Sequence, residues 1–559
     1  MLCLAVLVLL GAGEPDGGEL PDLQSAELVI GAADAGDAPA ADAGTPEPYL
    51  ITTTEPEPAP AAASIAPVIS SEVEPAAEGV APTFVKGELS TYLGSDRLTV
   101  KNNRIGVSAG LDRFGNAYYL LVEPQVDLRL FDGKWAIGLG APLRFELLSF
   151  ENDAEGAPTK FLGRIRKGDW DTFHDYGRLL KYVNYGRKED SLYVNIGQRY
   201  ASTIGHGSIQ RRYAANIDID YPRVSAEVDA YNNFGGFELF TNDILEWNQL
   251  TGIAFIKPLW FLGASNRLLS SVSIGVSGGL DWKAPLALTT DALGVRQLRD
   301  GRLVSTEKPV GLVGVDVEMK VYKDENIDLK PYVDYSFLVG GEGGLTIGAL
   351  ARFNFGTKIV NAFRLVAELR LLGSRYKPTY FDTFYEIERF IYDDTGVNPK
   401  GFFDYRTKQE AVLNAGLGSR TGYYFEASYG IRGAIGVTFS LEGVSNSAAK
   451  NFVAHLELPL LSFLQVFGSY YKRRFGDFGE LANLDEKAVV FAGARLKVLP
   501  FLFIGGRLYK SFRVNPDVQR YDNQVGFVVD LEVGYEFGGK KVEPPAGETP
   551  ATQPLPTAN

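Results

Sequence analysis

Few residues in this chain have both a type and a spacing that could do chemistry. Gly205-His206-Gly207-Ser208 sets an imidazole two positions from a hydroxyl, the pair that activates a serine nucleophile. On a strand His206 and Ser208 would share a face. A base must come within about 3 Å of its nucleophile, which is met more often between strands than along one, so a polar turn or strand end is the plainer reading. Asp169, Asp171 and Asp175 could offer carboxylates to calcium. The segment lacks the glycine and closing Glu of an EF-hand loop, which favours a solvated cluster, with Trp170, Phe173 and Tyr176 as interfacial aromatics. His174, His206 and His455 are the only histidines, and Cys3 is the only cysteine. They make no conventional metal site unless distant segments converge. No phosphate loop or dinucleotide fingerprint stands up. No catalytic residue, metal site or cofactor is assigned.

A larger set of charges recurs at every second position: Asp127, Arg129, Arg144, Glu146, Asp316, Glu318, Lys320, Asp334, Arg364, Glu368, Arg370, Arg495, Asp530 and Glu532. The positions between them are apolar. Val525, Phe527, Val529, Leu531, Val533, Tyr535 and Phe537 alternate with Gly526, Val528, Asp530, Glu532, Gly534 and Glu536. Successive side chains of a strand face opposite ways, so this segment has one greasy face and one small or charged face. It exceeds the usual strand of about five or six residues, and it suits a tilted strand crossing a bilayer, which needs about 9–11. The same alternation occurs in 118–130, 135–145, 313–321, 329–337, 363–371 and 490–498.

These patterns predict an all-β fold, a large antiparallel transmembrane β-barrel of about 16–22 strands. A soluble sandwich or propeller would also alternate, but the strands are long and no second-sheet pattern accompanies them. Asp132-Gly133 reads as a tight hairpin turn, followed by a long connection at 148–177. In the last third, long connections at 473–487 and 512–522 flank a tight corner at Pro500. In the middle, long segments at 283–308 and 374–410 fall on the wrong end of the barrel, which implies unread strands, with Thr379 to Arg389 a candidate. Asp218 and Asp220 read as inward residues of a strand that has Ile217 and Ile219 outward.

Charge divides the chain. No Lys or Arg precedes Lys86, and 1–83 holds 14 of the 69 acids, leaving 55 acids against 55 bases from 84 onward. The net charge of -14 thus belongs to the N-terminal segment, and no basic patch suggests nucleic acid. Residues 1–13 read as a secretory signal peptide, although no base precedes the apolar stretch Leu4 to Leu10. Residues 14–83, rich in Ala, Pro and Glu, read as a disordered acidic linker, 84–538 as the barrel, and 539–559 as a disordered Pro-rich tail.

The terminal Gly534-Tyr535-Glu536-Phe537, with alternation upstream, resembles the outer-membrane β-barrel (porin-like) proteins of Gram-negative bacteria. The resemblance covers about 84–538. It implies that Tyr535 and Phe537 form the insertion signal, although 22 residues follow Phe537 where the family's signal ends at its aromatic. It further implies an outer-membrane location with both termini periplasmic. The implied partners are outer-membrane lipid, the barrel-insertion machinery and periplasmic chaperones, with a homo-oligomer open. The segment 14–83 could not fold as the plug of an energised receptor.

With lipid outside, the charged face must meet water or other polar groups. About twenty strands leave a lumen wide enough for water. The expectation is a passive channel for small polar solutes, weakly ion-selective because the lining signs are mixed. The alternatives are an outer-membrane lipid hydrolase using Ser208 and His206, and a structural or surface-interaction barrel with a closed lumen.

Overall fold

The computed structural model describes residues 103–537 apart from short interior stretches, the longest being 150–164. The expected signal peptide, acidic linker and Pro-rich tail lie outside the described residues, as does the Asp132-Gly133 turn.

Twenty-two strand segments form one antiparallel sheet that closes on itself, and two staves are each built from two segments, so the barrel has 20 staves. In chain order they are β1 (Asn103–Phe114), β2 (Ala117–Leu130), β3 (Trp135–Gly140 and Leu143–Ser149), β4 (Leu180–Tyr185), β5 (Leu192–Gly197), β6 (Ser225–Tyr231), β7 (Gly235–Thr241), β8 (Gln249–Ile256), β9 (Ser273–Asp281) and β10 (Val310–Glu318 and Tyr322–Lys323). The second half comprises β11 (Ile327–Leu338), β12 (Gly343–Phe355), β13 (Asn361–Leu372), β14 (Arg420–Ile431), β15 (Ile435–Val444), β16 (Lys450–Leu461), β17 (Leu464–Phe475), β18 (Ala488–Leu499), β19 (Leu502–Asn515) and β20 (Arg520–Phe537). The break in β3 falls at Pro142, which has no N–H to give the ladder. Closure comes from β1 pairing with β20, from Asn103↔Phe537 to Arg113↔Phe527. A closed sheet leaves no unpaired edge, the condition for a sheet to sit in hydrocarbon.

The alternation read from sequence sorts the side chains as expected. Ile105, Val276, Val315, Val333, Leu369, Val529 and Val533 are exposed on the outer surface. Their neighbours Asp316, Asp334, Glu368, Arg370, Asp530 and Glu532 are buried inside. The inward face is not purely polar: Tyr119, Leu121, Val366, Val453, Phe491 and Val528 are buried there too.

With one exception, the long connections share one end of the barrel. At the end that carries Asn103 and Phe537 the connections are short, except for 257–272, which holds the helical turns Pro258–Phe261 and Arg267–Ser270. At the other end lie the long ones: 150–179, 198–224, 282–309, 373–419 and 476–487. The expected failure in the middle is corrected by staves the sequence reading passed over, β6, β7, β12 and β14 among them. They put 282–309 and 373–419 on the same end as the other long connections. Thr379 to Arg389 is not a strand; it contains the helical turn Tyr385–Glu388. Ile217 is not an outward strand residue but is fully buried.

Candidate functional site: the lumen

Two long connections fold inward instead of outward. Residues 201–217 and 376–391 pair with each other through Thr379 N–H to Ser208 O (2.7 Å), Phe381 N–H to Ile209 O (3.0 Å) and Arg211 N–H to Phe381 O (3.1 Å). Their apolar side chains form two clusters. In one, Ile209, Tyr213, Phe381 and Tyr385 pack on Phe240 of β7, Ile253 of β8, Leu312 of β10, Leu338 of β11 and Leu372 of β13. In the other, Ala214, Ile217, Phe384 and Ile387 pack on Phe114 and Leu121 of β1 and β2, Val453 of β16, Tyr471 of β17, Phe491 of β18, Tyr509 of β19 and Val528 of β20. The two segments thus touch staves spread around the circumference and form a plug across the lumen.

Ion pairs fasten the plug to the wall. Arg211 bonds Glu368 of β13, which also holds Arg370 at 2.7 Å. Arg212 binds Glu426 of β14 at 2.8 Å, and the same carboxylate takes Arg364. Arg389 reaches Asp281 of β9 at 3.3 Å, and Tyr385 donates its hydroxyl to the same aspartate at 2.7 Å. Within the plug region Arg223 meets Glu386 at 2.7 Å, and Tyr213 donates to Glu386. Lys408 binds Asp382 at 3.0 Å. Burial alone would raise the Glu386 carboxyl, but Arg223 and Arg389 outweigh it and hold the group below its ordinary range. Burial and the adjacent Glu386 push the Tyr213 hydroxyl far above the usual phenol range. A buried charge is tolerable only when paired. Each of these arginines meets a carboxylate, although among the described residues the Nε atoms of Arg223 and Arg389 are buried without a hydrogen bond.

Of the sequence-derived lumen set, Asp127, Arg144, Asp316, Asp334, Arg364, Glu368, Arg370, Arg495, Asp530 and Glu532 are buried inside the barrel, and Arg129, Glu146, Glu318 and Lys320 are partly buried. Many are engaged with one another or with residues the reading missed. Arg495 grips Glu532 at 2.6 and 3.0 Å, Arg104 bonds Glu532, and Arg144 binds Asp112 at 2.6 Å and Asp169 at 3.0 Å. Asp127 accepts from Tyr182 at 2.6 Å. The missed members, Arg104, Asp112, Arg211, Arg212, Arg223, Glu386 and Arg389, sit on an unread strand or on the plug. One signal was available: the inward positions of several read strands carry Val and Phe, which need an apolar partner inside.

Asp169 and Asp175 are buried, so they form neither a calcium site nor the expected solvated cluster. The Asp169 carboxylate sits among Arg144, Arg166 (2.5 Å) and Arg178 (3.5 Å). Burial would raise its pKa, but the three guanidiniums lower it to about 2. Asp175 instead accepts from the Thr172 hydroxyl at 2.7 Å. Among the described residues no cluster of His, Cys, Asp or Glu could hold a metal ion. His206 stacks on Tyr332 with ring centroids 3.9 Å apart, its Nε2 3.5 Å from both Asp316 and Glu318. Ser208 is buried at the plug, so the pair does not present a nucleophile at the lipid surface.

Beside the plug, towards the end bearing Asn103 and Phe537, a cavity of about 310 Å³ remains. Thr203, Gly205, His206 and Arg211 line it from the plug, and residues from β6 to β14 and their short turns form its wall.

A closed antiparallel cylinder with an aliphatic exterior and an ionic interior is the form in which chains cross bacterial outer membranes. The chain has the fold of a membrane-spanning β-barrel. No family description and no curated protein matches its sequence. Among solved structures, it is similar to Wzi of Escherichia coli, described as an outer-membrane, carbohydrate-binding β-barrel involved in group 1 capsule assembly. The identity is 11%, covering 79% of this chain and 87% of that one, with a TM-score of 0.29. It is also similar to the ferric enterobactin receptor PfeA of Pseudomonas aeruginosa (7%, 78% and 80%, 0.31) and to OccK11 of the same organism (9%, 78% and 96%, 0.28). Likenesses this loose carry no argument about what this barrel binds or moves.

Proposed function

We propose that this protein is a barrel closed at rest by its own inward segments, not a permanently open diffusion pore. The observation that carries this reading is the plug, whose apolar residues reach staves around the circumference and whose arginines are tied to wall carboxylates. Small polar solutes pass only when 373–419 or 198–224 is displaced. Both termini lie in the periplasm and the long connections face the exterior, the usual disposition of short and long connections. Tyr535, exposed on the outer surface, stacks with Phe537 at 6.3 Å, which supports these two as the signal read by the insertion machinery. The test is conductance in planar bilayers. The intact chain is expected to be silent, and replacing 376–413 by a short Gly/Ser linker is expected to give large, long-lived steps. Steady large steps from the intact protein overturn the reading.

A further inference from the structure

The cations of the lumen fall into two kinds. The arginines of the plug each meet a carboxylate, as described above. The cavity on the terminus side is different. Its wall brings together Lys257 from the turn after β8, Lys320 and Lys323 from the end of β10, Lys330 from β11 and Arg352 from β12. Among the described residues, Lys257, Lys320 and Lys323 have no carboxylate within ion-pair distance, and Lys330 has only Asp328, at 3.8 Å. Asp328 also serves Arg352 at 3.8 Å, and Glu318 lies beside His206 at 3.5 Å. With Glu238, Asp316 and Glu426 on the plug side, four lining carboxylates face seven lining Lys and Arg, and the lysines gather at the side away from most of those acids. The four ammonium groups are close enough to act on one another's charge. Burial, with Lys330 and Lys323 adding to it against the pull of Glu318, lowers the Lys257 ammonium below the ordinary lysine range.

Lysines gathered this way repel one another, and none of them ties the plug to the wall, which Arg211, Arg212 and Arg389 do. An anion entering the cavity removes the repulsion and gains the attraction of several cations at once. The volume of about 310 Å³ is at the small end of ligand pockets. Tyr231, Asn232, Ser273 and Tyr332 add hydrogen-bonding groups to the wall.

We propose that this vestibule is a binding site for a small multiply charged anion, one bearing several phosphate or carboxylate groups, held by Lys257, Lys320, Lys323 and Lys330. The source is either a soluble polyanion or an anionic lipid headgroup at the same face of the membrane, because both present the same chemistry.

The test uses the full chain in neutral detergent, titrated calorimetrically with tripolyphosphate at low salt. Saturable binding is expected, weakening as ionic strength rises. K320Q/K323Q/K330Q is expected to weaken it by roughly tenfold or more, and K320R/K323R/K330R to retain it. These side chains are at most partly buried, and an unchanged heat-dependent gel shift shows that the variants are folded. Competition by short-chain cardiolipin, whose headgroup carries two phosphates, but not by phosphatidylcholine identifies a headgroup as the source; absence of competition from both identifies a soluble polyanion. The proposal is overturned by lack of saturable binding to the intact chain, or by equal affinity in the Gln variant. Binding is read without conductance, so this result stands apart from the closed-lumen reading.

Discussion

The plug and the vestibule share one lumen but treat charge in opposite ways. At the plug, Arg211, Arg212, Arg223 and Arg389 are buried and each meets a carboxylate, often with a tyrosine hydroxyl on the same acid. In the vestibule, lysines stand beside open volume with few acids to share. The residue types fit the tasks. Arginine's planar fork satisfies two acceptors in a dry site, whereas lysine's ammonium stays well hydrated and adapts to a visiting ligand. The difference teaches that charge in this lumen is not one lining. One part spends its ions on holding protein to protein, and the other leaves them available.

The largest effect is expected where that distinction is broken at the plug. Glu386→Gln leaves Arg223 and Arg389 without their shared carboxylate and should cost about 3–5 kcal/mol in urea unfolding from detergent, the range for breaking a buried pair. Adding Arg223→Met should recover part of that loss, since the stranded charge is then removed. A loss below about 1 kcal/mol for Glu386→Gln would show that water reaches this pair and that the plug is loose.

Acid should act next on a third place where arginines hold a buried carboxylate. Asp169, on the connection before β4, has its pKa lowered from 3.8 to about 2 by three arginines. Its contribution is therefore complete above the ordinary carboxylate pKa and is lost as pH falls through about 2, amounting to about 2 kcal/mol. Urea midpoints measured from pH 5 to pH 1.5 should fall across that window, and Asp169→Asn should flatten the fall. The smallest effect belongs to the vestibule. Lys320→Gln should change ligand-free stability by no more than about 0.5 kcal/mol, or raise it slightly, because it removes repulsion and breaks no ion pair. A loss comparable to that of Glu386→Gln would make the vestibule structural and erase the contrast.

Reading strands from sequence worked where both faces had a clear character. In β20 the aliphatics and acids alternate, so the inward Asp530 and Glu532 and the outward Val529 and Val533 were legible from local pattern alone. It failed at short staves such as β4 and β5, whose Asn184 and Asn195 pair inside the wall without strong alternation. It failed more fully at the plug. Arg211 and Glu368 are 157 residues apart, and Arg212 and Glu426 are 214 apart, so no local spacing announces either pair. A sequence carries no mark of whether a connection turns inward or outward, so nothing local announced the plug.

The sequence by itself determined the cylinder. Side chains on a strand alternate with a period of two, and a membrane demands that one face be apolar along its length, so the order of residues was enough to set the wall and its sidedness. Only the tertiary structure decided what fills the cylinder. Closing the sheet through β1 and β20 brings remote charges to one interior, and the free energy of burying them there depends on which partner arrives across the lumen, a distance no linear pattern encodes.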